Sequence, residues 1–166
     1  MTSPDSVSLR SALHSVPSDI RQALENEFKE MEWRFGRGDW GPAELNGGRF
    51  AEAALRYLEW RESSGQYTPI GASLNRQTVL GRVKSNTALP DSLRFHITGC
   101  VDILMDIRNR RDVAHLGAVI DVDEMDARLV MRLTSWILAE IVREEGNLPP
   151  QDAQDLIDQL SAKRLP

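Results

Sequence analysis

The strongest helical pattern in this chain is LRFHITGCVDILMDIRNRRDVAH, which spans residues 93–115. Its apolar side chains recur every three or four residues, and this spacing places them along one face of an α-helix. This face, called the apolar stripe below, consists of Leu93, Ile97, Val101 and Leu104. Arg108 continues the same face at the next turn. The pattern therefore predicts a long amphipathic helix that begins at Asp91 and carries polar residues near its C-terminal end.

Similar periodicity predicts further helices on both sides of the long one. They are predicted over residues 18–35, 45–58, 74–83, 121–146 and 153–160. Asp121 and Glu124 resemble a capping box at the start of the helix over 121–146, and Trp136 belongs to its apolar face. The predicted fold class is all-α, a helical bundle of five or six helices.

The start of the chain differs in composition from the rest. Residues 1–16 are rich in serine and contain Pro4, which predicts a flexible N-terminus. Residues 17–166 are expected to form a single helical domain, because this length suits one domain with a sizeable core.

Composition excludes several classes of protein. With 41% hydrophobic and 27% charged residues, the chain has an ordinary globular composition and is not expected to be disordered. Its one cysteine, Cys100, excludes an intramolecular disulfide and favours a reducing compartment. No apolar run approaches about 18 residues and no signal-peptide pattern is present, so we expect a cytoplasmic protein that makes no membrane contact.

The distribution of charge is more informative than the net charge of −5. Residues 74–120 carry seven basic and four acidic side chains, whereas the segments on either side are acidic. Arg108, Arg110 and Arg111 lie in this basic section. A local excess of positive charge favours contact with phosphate groups, although the chain as a whole is not a general nucleic-acid coat.

The polar end of the long helix contains residues suited to phosphodiester chemistry. An arginine offers a fixed fork of donors that suits a phosphate, and a histidine exchanges protons near neutral pH. On a continuous helix, Arg108 and His115 would lie two turns and about 10 Å apart. A purely structural interpretation remains open, in which Arg108 pairs with Asp112 and His115 caps the helix C-terminus.

An arginine followed by asparagine, five further residues and a histidine resembles the R-x4–6-H motif of the HEPN superfamily of small helical ribonucleases. The motif consists here of Arg108, Asn109 and His115. The upstream segment GPAELNGGRFAEA, residues 41–53, also looks like the second helix of bacterial proteins of this type. HEPN toxins paired with a nucleotidyltransferase antitoxin often carry a tyrosine two residues after the histidine. Gly117 occupies that position, so control by modification there is not expected.

The resemblance implies an HEPN-like fold and a metal-independent endoribonuclease that needs no cofactor and acts as a toxin or antiviral defence effector. His115 would act as general base or acid, Arg108 would stabilise the phosphorane, and Asn109 would orient the arginine or the phosphate. Arg110 and Arg111 would bind the RNA backbone. The implied partners are RNA, a second copy of the chain, and a regulatory protein or ATPase of the same defence module.

An alternative function belongs to a different class. The chain would then be a catalytically inert HEPN-like dimerisation subunit that recruits an ATPase or a nucleic-acid sensor. An adaptor has no need of the complete set of Arg108, Asn109 and His115, which favours the ribonuclease.

Four expectations about the placement of particular residues follow. In a homodimer, the apolar stripe is expected to face a second copy around a two-fold axis. Gly47 and Gly48 disfavour a helix interior, so they predict either the true start of the second helix or close backbone packing. Glu52 either orients a motif residue or is solvated, and Trp40 is the exposed ring expected to stack on a base.

Overall fold

The structure, a computed structural model, describes residues 7–110 and 122–162. All regular structure in these ranges is helical. The helices are α1 (Leu9–Ala12), α2 (Ser18–Gly36), α3 (Trp40–Glu62), α4 (Arg76–Ser85), a π-helical segment (Ser92–Ile97), α5 (Thr98–Arg110), α6 (Glu124–Gly146) and α7 (Pro150–Ala162). The predicted all-α class is confirmed. The described α-helices outnumber the predicted five or six because α1 was not expected. Across these ranges no helix combines the length and apolar character needed to span a membrane.

Helix α3 lies at the centre of the bundle and contacts α2, α4, α5 and α6. Small side chains let these neighbours approach its backbone closely, and its buried alanines are Ala43, Ala51, Ala53 and Ala54. The aromatic rings of Phe28 in α2 and Phe50 in α3 meet in the core, with their centroids 6.5 Å apart. A helix that is buried on most sides accounts for the dense apolar pattern between residues 43 and 58.

The apolar stripe is buried inside its own chain. Each of Leu93, Ile97, Val101 and Leu104 is at most 1% exposed, and all four belong to the core that α5 shares with α3. The expectation that this stripe faces a second copy is therefore wrong. Helical periodicity shows which face of a helix is buried, but it does not show which element covers that face.

Part of the N-terminus is ordered and packed. Leu9, Leu13 and Val16 are buried, and α1 packs against α6. The Ser8 side chain accepts a hydrogen bond from the Ser11 backbone N–H, and the Ser11 hydroxyl accepts one from the Ser8 N–H. The interpretation of residues 1–16 as a flexible N-terminus is therefore wrong for 9–16, because apolar burial and a capping box stabilise even this single turn of helix.

Helix α6 begins two residues later than the predicted capping box. Asp123 is the N-cap, and its carboxylate accepts a hydrogen bond from the Asp126 N–H at 2.9 Å. Trp136 is exposed, whereas the next residue, Ile137, is buried. Adjacent residues of an α-helix lie about 100° apart around its axis, so both cannot face the core fully. The assignment of Trp136 to the buried face is wrong.

A buried polar cluster joins α3 to α6. The Tyr57 hydroxyl donates to Glu145 Oε1 at 2.7 Å, and Arg61 forms an ion pair with the same carboxylate. The Ser15 hydroxyl donates to the other oxygen of Glu145 at 2.9 Å. Burial and, to a smaller extent, the nearby negative charge of Glu145 raise the pKa of Tyr57 well above its ordinary value. The tyrosine is therefore held neutral as a hydrogen-bond donor.

Candidate functional site

Arg108 lies in the last turn of α5 and packs across the surface of α3. Its Nη1 donates a hydrogen bond to Oε1 of Glu52, and the two groups form an ion pair. The side chains are 29% exposed for Arg108 and 41% for Glu52, so the pair lies at the edge of the bundle. Glu52 thus contacts a motif residue, as the first of its two expected roles requires, and at 41% exposure its side chain is also partly solvated.

Two adjacent glycines allow the neighbouring helices to approach α3. A Cβ atom on Gly48 would lie 2.3 Å from Cδ of Arg108, and one on Gly47 would lie 2.2 Å from Cγ1 of Val130 in α6. Contacts this short do not occur between real side chains, so a side chain at either position would displace its neighbour. Close packing at the glycine pair is confirmed. The other expectation, a helix that begins there, is wrong because α3 begins at Trp40.

The guanidinium of Arg108 keeps donors for a further partner. An arginine carries five N–H donors in a planar fork. Within the described part of the chain, only the Nη1 contact with Glu52 uses one of them. The guanidinium is thus held by Glu52 at Nη1, while the side chain remains 29% exposed. This arrangement suits binding of a phosphate.

Two further predicted site residues within the described ranges, the motif residue Asn109 and the expected RNA-binding residue Arg110, do not join Arg108. Asn109 and Arg110 are both exposed. Arg110 donates through Nε to Asp106 at 2.8 Å, and this hydrogen bond raises the pKa of Arg110. Arg110 follows Arg108 by two positions, which turns its side chain about 200° around the helix axis. Arg110 therefore lies on the solvent face of α5, away from α3.

The remaining predicted site residues lie outside the described part of the chain. These are His115 and Arg111, together with Asp112 and Gly117. The structure thus locates Arg108, Asn109 and Arg110, but leaves the separation of Arg108 from His115 untested.

Two buried carboxylates near this site were missed by the sequence argument. Glu44 is fully buried one turn before Gly48 on α3, and Asp126 is 6% exposed one turn before Val130 on α6. Buried carboxylates are rare because removing their charge from water costs free energy. The spacing of Glu44 and Gly48 by four residues was visible in the sequence, but burial on α3 was not.

Of the two tryptophans Trp33 and Trp40, Trp33 is the exposed one. Trp40 is half-buried against Phe35, with ring centroids 5.2 Å apart. Trp33 is 42% exposed, and the guanidinium of Arg37 lies 4.8 Å from its ring centroid. The expectation that Trp40 is the exposed stacking ring is therefore wrong.

The arrangement offers a fixed cationic donor group at the surface, which is suited to stabilising negative charge on a phosphate. Among the described residues, no three His, Cys, Asp or Glu side chains lie close enough to hold a metal ion. No protein-family model matches the chain, and comparisons with curated proteins and with solved structures gave no match.

Proposed function

We propose that this protein is an HEPN-like, metal-independent endoribonuclease that acts as a toxin or defence effector. The observation that carries the proposal is the position of Arg108, which lies over Gly48 and is tied to Glu52. An exposed ion pair adds only about 0.2–1 kcal/mol to stability. A glycine in a helix interior costs about 0.8–1 kcal/mol relative to alanine. Stability alone does not explain this arrangement, whereas a need to hold a cationic group in place does.

The chemistry assigned to the motif is transesterification. His115 accepts the proton of the RNA 2′-hydroxyl or donates a proton to the leaving 5′-oxygen. A bond forms between the 2′-oxygen and phosphorus while the bond from phosphorus to the 5′-oxygen breaks. Arg108 stabilises the charge that builds on the phosphorane, and Asn109 orients the phosphate. The products are a 2′,3′-cyclic phosphate and a 5′-hydroxyl, while Arg110 and Arg111 hold the RNA backbone.

A homodimer is part of the proposal because each chain supplies one motif histidine, and the two proton transfers need a base and an acid. Since the apolar stripe is buried, the second copy is proposed to bind the outer face of α5 and α6. Ile103, Leu129 and Trp136 are 48%, 45% and 40% exposed there.

These three side chains share one face of the helix pair. In the π-helical segment that leads into α5, the His96 ring contacts the Trp136 ring of α6, with centroids 6.5 Å apart. The Ser92 hydroxyl donates a hydrogen bond to Glu144 Oε1 at 3.2 Å. Because Ser92 precedes His96 while Glu144 follows Trp136, the two helices run antiparallel. Ile103 follows His96 by seven residues and Leu129 precedes Trp136 by seven, which is about two turns on each helix. From this spacing we infer that Ile103 and Leu129 lie near each other beside the ring pair.

The same apolar face favours the second candidate, an inert HEPN-like subunit that dimerises and recruits an ATPase or nucleic-acid sensor. Exposed apolar surface of this kind typically marks a protein interface. A regulatory partner of the ribonuclease would need a comparable surface. The two functions differ in whether the protein cleaves RNA.

The test is cleavage of RNA by the purified protein in EDTA, with end-group analysis of the products. We expect a 2′,3′-cyclic phosphate and a 5′-hydroxyl. Arg108→Ala and His115→Ala should each abolish cleavage while circular dichroism remains unchanged. The matched control is Arg10→Ala, because Arg10 is an exposed arginine of α1. This variant should cleave RNA normally.

Two results would contradict the proposal. Activity that is lost in EDTA and restored by Mg²⁺ would overturn the metal-independent mechanism. A folded wild-type dimer that cleaves no RNA would favour the inert subunit, and full activity in His115→Ala would remove that residue from the site.

A further inference from the structure

Gly48 lies in the interior of the 23-residue helix α3, four residues before Glu52. Positions four apart lie on the same face of a helix, so Gly48 and Glu52 form one continuous surface. Glycine is less favourable than any residue except proline in a helix interior. A glycine at this position therefore requires an explanation from packing or function.

The Arg108 stem fills the space beside Gly48. A Cβ atom on Gly48 would lie 3.2, 3.0 and 2.3 Å from Cβ, Cγ and Cδ of Arg108. The stem thus runs directly over the glycine, and the guanidinium reaches Glu52 one turn further along. Any side chain at position 48 would push the stem away from α3 and break the alignment with Glu52.

We propose that Gly48 is a positioning residue for Arg108. Because glycine has no side chain, Gly48 leaves a space on α3, called the glycine seat below, in which the Arg108 stem lies. This space holds the guanidinium in its working orientation. The catalytic consequence rests on the proposed ribonuclease function, but the seat itself does not. Gly47 has a different role, because its contact is with Val130 and serves the packing of α3 against α6.

The seat is tested by the melting temperature of Gly48→Ala in two backgrounds. In Arg108→Ala protein, the two shortest contacts are gone and only the Cβ contact at 3.2 Å remains beside position 48. The helix-favouring alanine should then raise Tm by up to about 2–4 °C. In the wild-type background this gain should be absent, since the new methyl group and Arg108 compete for the same space.

Two other glycines serve as matched controls. Gly99→Ala in α5 should raise Tm in both backgrounds, because nothing lies within 4 Å of a Cβ at that position. Gly47→Ala should lower Tm in both backgrounds, because its clash with Val130 does not involve Arg108. An equal gain from Gly48→Ala in both backgrounds would overturn the seat. Failure of Gly48→Ala/Arg108→Ala to fold would do the same, since the obstacle would then not be Arg108.

The positioning role is tested by kcat for RNA cleavage. A displaced guanidinium should lower kcat of Gly48→Ala about 100-fold, because catalytic groups are sensitive to misplacement of about 1 Å. Gly47→Ala, which acts only on packing, should keep its kcat while it remains folded. Wild-type kcat in Gly48→Ala would overturn the positioning role and leave the proposed function intact. A wild-type protein without activity would instead contradict the proposed function, and the Tm comparison would still decide the seat.

Discussion

Replacement of Glu52 by alanine should separate a catalytic role of the Arg108 pair from a structural one. The substitution removes the carboxylate that accepts from Nη1 of Arg108. It leaves the arginine on α5 and the glycine seat on α3 in place. The pair is therefore perturbed at one end, with no new charge and no added bulk.

The expected effect on stability is small. With side chains 29% and 41% exposed, this is a surface ion pair, worth about 0.2–1 kcal/mol. For a protein of this size, such a loss lowers Tm by no more than about 4 °C. Alanine also favours the helix slightly relative to glutamate, which reduces the loss further.

The expected effect on catalysis is much larger. Loss of a group that stabilises transition-state charge typically costs about 100- to 1,000-fold in kcat, or about 2.7–4 kcal/mol. A guanidinium released from Glu52 keeps its charge but loses its orientation, so Glu52→Ala should approach the lower end of this range. Glu52→Gln retains an oxygen that accepts from Arg108 and should preserve more activity.

The assay compares kcat and Tm of these variants with those of Glu30→Ala. Glu30 pairs with Arg34 on α2, at 38% and 34% exposure, and thus matches the Glu52 pair in burial. We expect similar Tm changes for both alanine variants but a loss of kcat only for Glu52→Ala. Wild-type kcat in Glu52→Ala would refute the reasoning and identify the pair as an ordinary surface salt bridge.

Two further predictions concern assembly and pH. Ile103→Glu should give a folded monomer in sedimentation velocity, because it places a charge on the proposed dimer face. Val101→Asp should instead lose helicity in circular dichroism, because Val101 is buried within its own chain. A dimeric Ile103→Glu protein would contradict the proposed face. Burial and Glu145 raise the pKa of folded Tyr57 above its ordinary value of 10.0, so its contribution to stability is complete below pH 10 and is lost as pH rises toward the folded pKa. Wild-type Tm should therefore fall more steeply above pH 10 than that of Tyr57→Phe, and parallel pH profiles would contradict this linkage.

Local patterns in the sequence predicted most of the helices because helical periodicity depends only on residues three and four apart. The predicted start at Ser18 and the end before Gly36 match α2 closely. The apolar stripe was correctly identified as a buried face. Helix α1 was missed because four residues are too few for periodicity to stand out, and its stability depends on burial of Leu9 against distant parts of the chain.

The contacts of the candidate site depended on tertiary structure. The sequence identified Arg108 by its place in a motif, and it marked Gly48 as unusual in a helix. The sequence left open whether Glu52 orients a motif residue. Nothing local indicated that Arg108 would lie over Gly48 or that it would be the partner of Glu52, 56 residues away. The apolar stripe likewise did not indicate whether α3 or a second copy would cover it. Local spacing determines which face of a helix is apolar, whereas the packing of all the helices together determines what that face and its polar neighbours meet.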